Sequence, residues 1–549
     1  MSFPSRRVTL VASAVVFALA CAATAFAQVQ SSEQVSCLTA LSKGAAKVVK
    51  AKAKDYQGCL KDAANADLGG CPSAEACAGG DLGGKVASSV AKLRSADEKS
   101  CTEEPDFGRR HASLVSASAL GETLGLMDDL LGPDLDAAVV PKAADTRAAS
   151  CQGKVVRSAT KLWLAMGAAY QACRSEGLSS GTATSSAALL DCLDAIDADA
   201  KGKVASSRGS LDATLAGTCD GVNLASTFPG ACSSAPSFGD CVETSARCRA
   251  CRRGAIGDDA DADCDAFDDG LANASCTGAA GRCNGHSELC GRTFENVAYP
   301  TTHNAFGNAE DNWLNPNQRY GLARQLSDGV RGMMLDTYEY NGEIVMCHSF
   351  CNLGEVQGRT PRELLTSGLG KIREYLEVDP GAVLSIIFES YITEAQAAQA
   401  FADAGLSGFL HEQVAGDPWP TLEDMIASGK RLVVFTDDSS ASLPWHHYVW
   451  DHAWETHYSF ENVEDFSCAI NRGTATNDLF ILNHFLTDLF GGVALANQAN
   501  KDPLFLDRAL QCEMEGGQLP NFVTVDFHDI GTLFSTTNTL NGFEGCAVE

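Results

Sequence analysis

Two kinds of hydrophobic pattern divide this chain near its middle. In the first half apolar side chains fall at Cys37, Leu41, Ala45 and Val48, the three-and-four spacing of a helix face, within segments rich in Ala, Lys and Leu. The pattern is duplicated: Cys37 to Cys59 is a step of 22 residues, as is Cys151 to Cys173. The run Gly84 to Ser89 (GKVASS) recurs as Gly202 to Ser207, and Cys101 and Cys219 each follow the lysine of that run by 16. Antiparallel helical hairpins repeated twice are therefore expected over residues 28–225. A helix joining Cys37 to Cys59 would hold them about 33 Å apart, too far for a disulfide. Each should instead staple its helix to a neighbour, such as the helices ending at Cys101 or Cys219.

Past Arg292 the pattern shortens into apolar runs of strand length: Val297–Tyr299, Val330–Leu335, Ile344–Met346, Ala382–Phe388, Leu432–Phe435, Leu479–Leu482 and Phe522–Val525. Helical spacing lies between several of them, over Pro361–Leu376, Leu422–Ile426 and Pro503–Met514. This alternation predicts an α/β unit over residues 292–549, a TIM-type barrel in either a closed or an irregular form, since seven strands are legible. Between the halves, residues 226–291 read as a loop-like linker with eight cysteines and the acidic run from Asp258 to Gly270. That run lacks the glutamate of a helix-loop-helix calcium site, and Cys248-x-x-Cys251 is expected to serve structural disulfides. The fold class is thus multidomain: all-α disulfide-stapled repeats, a Cys/Asp-rich linker and a C-terminal barrel.

Composition sets the compartment and excludes one class of partner. The chain has 549 residues, with 70 acidic against 41 basic side chains and a net charge of −29, which argues against nucleic acid. Residues 1–27 read as an export signal, with Arg6 and Arg7, an apolar stretch and Ala25-Phe26-Ala27 before the cleavage point. Ser5-Arg6-Arg7 is similar to a twin-arginine signal and Ala18 to Cys21 to a lipoprotein processing site, so secreted, periplasmic and lipid-anchored export all stay open. The chain carries 23 cysteines; removing Cys21 with the signal leaves 22, of which 17 lie between Cys37 and Cys290. Extensive disulfide bonding follows.

The candidate chemistry sits where the strand-like runs end. His303 and Asn304 follow the first, Asp336 the second, His348 the third, Glu389 the fourth, Asn483 and His484 the sixth, and Asp526 the last. Active sites of barrels are built at that end of the strands. Cys347 and Cys351 flank the segment carrying His348 and could close a short disulfide around it.

These residues resemble a known family. Pro300–Phe306 (PTTHNAF), Gln325–Asp336 (QLSDGVRGMMLD) and Cys347-His348-Ser349 are similar to the X region of phosphatidylinositol-specific phospholipase C and its phosphodiesterase relatives, over about Phe294–Phe527. The resemblance implies His303 and His348 as an acid–base pair at a scissile phosphate, with His303 as base and Asp526 orienting it. It implies calcium as cofactor, held by Asn304, Asp336 and Glu389, because Asp336 stands where the metal-dependent branch has its aspartate. It also implies a phospholipid or inositol-phosphate-like substrate and transient contact with a membrane surface. Arg331, Asn483 and His484 are expected at the substrate, although the family often keeps that arginine for packing. One departure is Met334, where calcium-dependent relatives place a carboxylate. A glycerophosphodiester or sphingomyelin-type phosphodiesterase is the nearest rival, but would want a glutamate near Met334. A non-catalytic surface protein with a scaffold barrel is the alternative of another class. Trp445–Trp450 reads equally as a lipid-facing stretch or as ordinary packing, and the partner of the repeats is unassigned.

Overall fold

The structure is a computed structural model that describes residues 29–276, 281–487 and 492–546. The expected export signal over residues 1–27, with Cys21, lies outside the described residues. Among those described, no helix is long and apolar enough to cross a membrane.

The duplication seen in the sequence is a duplication of structure. Helix Ser32–Ala64 is started by a capping box between Ser31 and Gln34, and its counterpart Thr146–Ser180 by Asp145. The recurring GKVASS runs open the helices Lys85–Ser100 and Lys203–Ala216. In both copies a left-handed aspartate, Asp81 or Asp199, accepts the first free helical N–H groups with its carboxylate: Val86 and Ala87 at 3.0 and 2.7 Å, Val204 and Ala205 at 3.1 and 2.9 Å. The disulfides repeat as well, Cys37–Cys101 with Cys151–Cys219 and Cys59–Cys77 with Cys173–Cys192.

Each repeat ends in a further 20-residue helix, Ala112–Leu131 and Phe238–Gly257. The second of these corrects the reading of residues 226–291 as loop-like. Its buried face carries Cys248, Arg249, Cys251 and Arg253, so no apolar stripe marks it in the sequence. Cys248 bonds Cys276 and Cys251 bonds Cys264, the structural use expected of that pair. Arg249, buried in this core, is neutralised there by Asp129 at 2.8 Å and Glu122 at 3.3 Å.

The C-terminal half is one curled sheet. Its strands are β1 Tyr299–Thr302, β2 Gly332–Tyr340, β3 Glu343–Met346, β4 Glu363–Leu364, β5 Leu384–Tyr391, β6 Leu432–Thr436, β7 His446–Tyr448, β8 Ala453–Thr456, β9 Ile470–Arg472, β10 Leu479–Asn483 and β11 Phe522–Val525. They are ordered β7-β6-β5-β2-β1-β11-β10-β8-β9, with β3 and β4 attached to β2. All neighbours from β7 round to β8 are parallel, and β9 joins β8 antiparallel. No ladder joins β7 to β8, so the expected barrel is an open, curled sheet of mixed strands rather than a closed ring. The run Ile344–Met346 is also not a strand of the parallel series; it returns antiparallel along β2 as a hairpin.

Alternation along the strands sorts side chains to two faces. Tyr299, Val383, Val433, Phe435, Ile481 and Phe522 fill the concave interior. Met333, Leu335, Ile386 and Val434 face one bank of helices and Phe480, Leu482, Val523 and Val525 another. The two halves are joined covalently by Cys71–Cys546 and by an ion pair from Arg94 to Asp328 at 2.6 Å, and Leu114 of the helical half packs into the outer core of the sheet.

Gly125 leaves the space in which the Arg249 guanidinium lies; a Cβ there would stand 2.6 Å from its central carbon. Gly125→Ala is expected to push the guanidinium off Glu122 and Asp129 and to cost about 1–3 kcal/mol of stability, measured by urea denaturation of the purified chain.

Candidate active site

The inward parity of the strands, followed within β2 and β5 and one residue past the ends of β1 and β11, sets polar side chains on the inner face. His303 continues the series Tyr299, Thr301; Asp336 continues Met334; Glu389 continues Ile387; Asp526 continues Phe522, Thr524. Asp336 and Glu389 are register partners on β2 and β5, so they leave the sheet side by side. A cleft of about 110 Å³ is lined by His303, Asp336, Glu389 and Asn483, and also by Asp437, Glu455 and Arg472.

His303 is the most firmly held of these. Its Nδ1–H donates to Asp526 at 2.9 Å, and its ring stacks on Phe485 with centroids 4.1 Å apart. Asp526 in turn accepts from Asn317 Nδ2 at 3.1 and 3.2 Å, and Asn317 Oδ1 accepts from Asn304 at 3.3 Å. Gln318 ties the ends of β1 and β11 together by donating to the carbonyls of His303 and Val525. The residue following each of His303, Asp526 and His348 is a non-glycine in the left-handed region: Asn304 at φ 45°, Phe527 at 51° and Ser349 at 56°. Such backbone costs energy and persists where surrounding structure enforces it. Here it turns the chain sharply directly after each of the three side chains.

His348 reaches the rim by a different route. The β2–β3 hairpin runs out past the sheet and returns, so that the Cys347 N–H meets the Asp336 carbonyl at 3.4 Å, and Cys347–Cys351 closes the loop that follows. Its ring is solvent-exposed. Burial opposes charge on the His303 ring, but the adjacent Asp526 carboxylate outweighs it, with help from Asp336 and Glu389, and the pKa stands above the ordinary value. For His348, desolvation and the charge of His303 hold the pKa below the ordinary value. His348 is thus near enough to feel the charge of His303, although it is not among the residues that line the cleft.

The carboxylates form a like-charged group. Burial first, then the charge of Glu389, push Asp336 up to about 8. Asp437 is raised by burial and by Glu389 as well. No hydrogen bond to the Asp336 carboxylate is made among the described residues, the Asn304 amide donates to Asn317 so that its oxygen is left over, and Glu389 spends one oxygen on the Tyr391 hydroxyl at 2.6 Å. Asp336 and Glu389 together offer the cleft hard oxygen donors with unspent capacity, the kind that a divalent cation such as calcium takes, while Asn304 is not among the lining residues.

Two expected substrate residues lie elsewhere. Arg331 precedes β2, at the far end of the strand, and donates to the carbonyls of Leu326 and Val330 and to Asn284, so it packs rather than meeting a substrate. His484 has the opposite parity to Asn483 and faces outward; it is fully buried between Phe505, the Ala499 carbonyl and Arg508, and burial with the arginine charge pushes it down to about 3. Asn483 does line the cleft and donates to Glu455 at 2.9 Å. Glu455 also binds Arg472 from β9, whose guanidinium lies over Trp450 and Tyr458. Trp445 packs on Phe401 and His446 and His447 are buried in β7, which settles that stretch as packing and cleft wall.

Residues 289–541, a little under half of the chain, match the family described as PI-PLC X 1. Three curated relatives each align with a little under half of this chain. An "Uncharacterized secreted protein" of Arthroderma benhamiae is 28% identical over 46% of this chain and 61% of its own length. A "PI-PLC X domain-containing protein" of Arabidopsis thaliana is 29% identical over 48% of this chain and 66% of its own. "PI-PLC X domain-containing protein 1" of Arthroderma benhamiae is 24% identical over 47% of this chain and 89% of its own. The chain thus spans under two thirds of the first two relatives.

Because the Asp526 carboxylate is what raises the His303 pKa, Asp526→Asn in calcium-free protein is expected to lower it. An NMR titration of the His303 ring checks this.

Proposed function

We propose that the chain is an exported phosphodiesterase that cleaves a phosphatidylinositol-like phosphodiester with His303 as general base, His348 as general acid and calcium as cofactor. The observation that carries this reading is the His303–Asp526 pair opening onto the same cleft as Asp336 and Glu389. With Nδ1–H committed to Asp526, His303 presents Nε2 to the cleft, where it can take the proton from a substrate hydroxyl as that hydroxyl attacks the phosphorus. Asp526 then stabilises the imidazolium that forms. His348 at the rim gives a proton to the leaving oxygen, and the negative charge of an arriving phosphodiester favours the protonated form of its ring. Attack by a neighbouring hydroxyl gives a cyclic phosphate, which water can open.

Asn304, Asp336 and Glu389 would hold the calcium. When bound it would offset charge on the phosphate and acidify the attacking hydroxyl. Asp437 adds a carboxylate beside Glu389 on the side of the cleft away from Met334, which supplies none. Arg472, tied to Glu455 and stacked on Trp450 and Tyr458, is the guanidinium available to a headgroup.

Eleven disulfides and the secreted relative support an extracellular setting. The loop following His348 exposes Phe350, Leu353 and Val356, an apolar rim through which a lipid surface can be met despite a net charge of −29.

Purified protein is expected to release the headgroup from phosphatidylinositol vesicles, and His303→Ala or His348→Ala to lower turnover by about 10² or more; full activity in either variant would overturn the acid–base assignment. Chelation is expected to abolish turnover and added calcium to restore it. Indifference to chelators would remove the metal role of Asn304, Asp336 and Glu389.

A further inference from the structure

The short helix Leu322–Asp328 touches both halves of the molecule. On the side of the repeats, Arg94 of helix Lys85–Ser100 donates to the Asp328 carboxylate at 2.6 Å and to the Ser327 hydroxyl at 2.9 Å. Leu114 of helix Ala112–Leu131 shares a buried core with Leu322 and Leu326. On the side of the sheet, Gln325 donates from Nε2 to the Ala305 carbonyl at 2.7 Å, two residues past His303.

A second path starts from the other oxygen of Asp328. Asp328 Oδ2 meets His528 Nε2 at 3.4 Å, and His528 reaches Gln318 Oε1 with its ring Nδ1 at 3.3 Å and its backbone N–H at 3.1 Å. Gln318 spends its amide nitrogen on the carbonyls of His303 and Val525, at 2.9 and 3.1 Å. These carbonyls belong to the base and to the residue before its partner, Asp526. His528 is 2% exposed and Gln318 fully buried, so water does not compete for these bonds. Burial alone would raise the Asp328 carboxyl, but His528 and Arg94 outweigh it and hold it below the ordinary value, which keeps it charged. Cys71–Cys546 already joins the two halves covalently, so this polar path is not what keeps them together.

We propose that the helical repeats act as a positioning domain for the cleft, with Asp328, His528 and Gln318 as positioning residues that carry the anchorage of Arg94 to the backbone of His303 and Val525. The proposal rests on the reading of His303 as general base. None of the three lines the cleft; they act through the carbonyls that set where β1 and β11 end, and hence hold His303 against Asp526. A base must keep its place closely, since a displacement of about 1 Å caused far from the chemistry can cost on the order of 10² in rate.

The test compares the purified full chain with Arg94→Met and Arg94→Lys, which leave every disulfide and every cleft residue in place. Arg324 stays within 3.5 Å of Asp328 in both, so the carboxylate keeps a cation beside it. Hydrogen–deuterium exchange of the ligand-free protein reads the coupling without any substrate. The His303 amide, bonded to the Val525 carbonyl at 3.0 Å, and the His528 amide are expected to exchange about tenfold faster in Arg94→Met, the equivalent of one charge-assisted hydrogen bond. Amides of β6 should keep the wild-type rate, and Arg94→Lys, which retains a donor to Asp328, should recover most of the protection. On phosphatidylinositol vesicles, Arg94→Met is expected to lower kcat about tenfold with KM little changed, and Arg94→Lys to restore it. Wild-type exchange at His303 in Arg94→Met, or faster exchange spread equally over β6, overturns the positioning role. An inactive wild type whose exchange responds as expected overturns the assignment of His303 as base and leaves the coupling between the halves standing.

Discussion

Parallel strands that end at one level show only every second side chain to the interior, and that parity assembles the cleft. On β10, Asn483 points inward and His484, one residue later, is sealed among Phe505 and Arg508. On β2, Met334 and Asp336 face in while Leu335 joins the outer core. A shift of one residue in any of these registers would exchange an acid or base for a packing side chain. The paired ladders from β5 through β2 and β1 to β11 thus fix which groups the cleft contains before any hydrogen bond between those groups is considered.

Parity also explains which parts could be read from the sequence. Six of the seven apolar runs became strands of the parallel series because each is buried on both faces of the sheet and so reads as continuous hydrophobic sequence, whereas Ile344–Met346 became the antiparallel hairpin strand β3. β7, β8 and β9 escaped because their residues include His446, His447, Glu455 and Arg472, polar groups whose burial or pairing is settled by tertiary partners. Helix Phe238–Gly257 escaped for a related reason: its inward face is built from arginines and cysteines that are neutralised or cross-linked only once the fold is complete. His303, Asp336, Glu389 and Asp526 were legible as residues that follow apolar runs. Asn317, Gln318 and Phe485, which hold His303 and Asp526 in place, sit in loops without a local signal. Counting inward positions along β10 would have separated Asn483 from His484, but the phase of that count comes only from a strand pairing.

The helical half meets the same difficulty, a polar sequence that must still form a core, with a different device. Its interior is pinned by disulfides that repeat from one copy to the next, and by arginine–carboxylate pairs placed against glycines, as Arg249 lies against Gly125. Buried pairs of this kind add little net stability, yet removing one partner is strongly destabilising. Arg253 also lies against a glycine, Gly167, where the charge of Glu122 acts on it.

Met334 bears on how the sheet's carboxylates work together. A glutamate at that inward position would place a third acid between β1 and β5, beside a carboxylate already pushed up to about 8 by burial and by Glu389. Methionine instead extends the apolar interior toward the mouth, where it packs against the inner core. The acidic side of the cleft therefore lies toward β5 and β6, through Glu389 and Asp437. On the proposed reading, a cation held by Asp336 and Glu389 would have to displace the proton that a raised pKa keeps on Asp336. Fewer carboxylates weaken the pull on the cation but also lessen the repulsion that a doubly substituted phosphate meets on entering an acidic cleft. On the proposed reading, the methionine would exchange metal affinity for easier access of an anionic substrate.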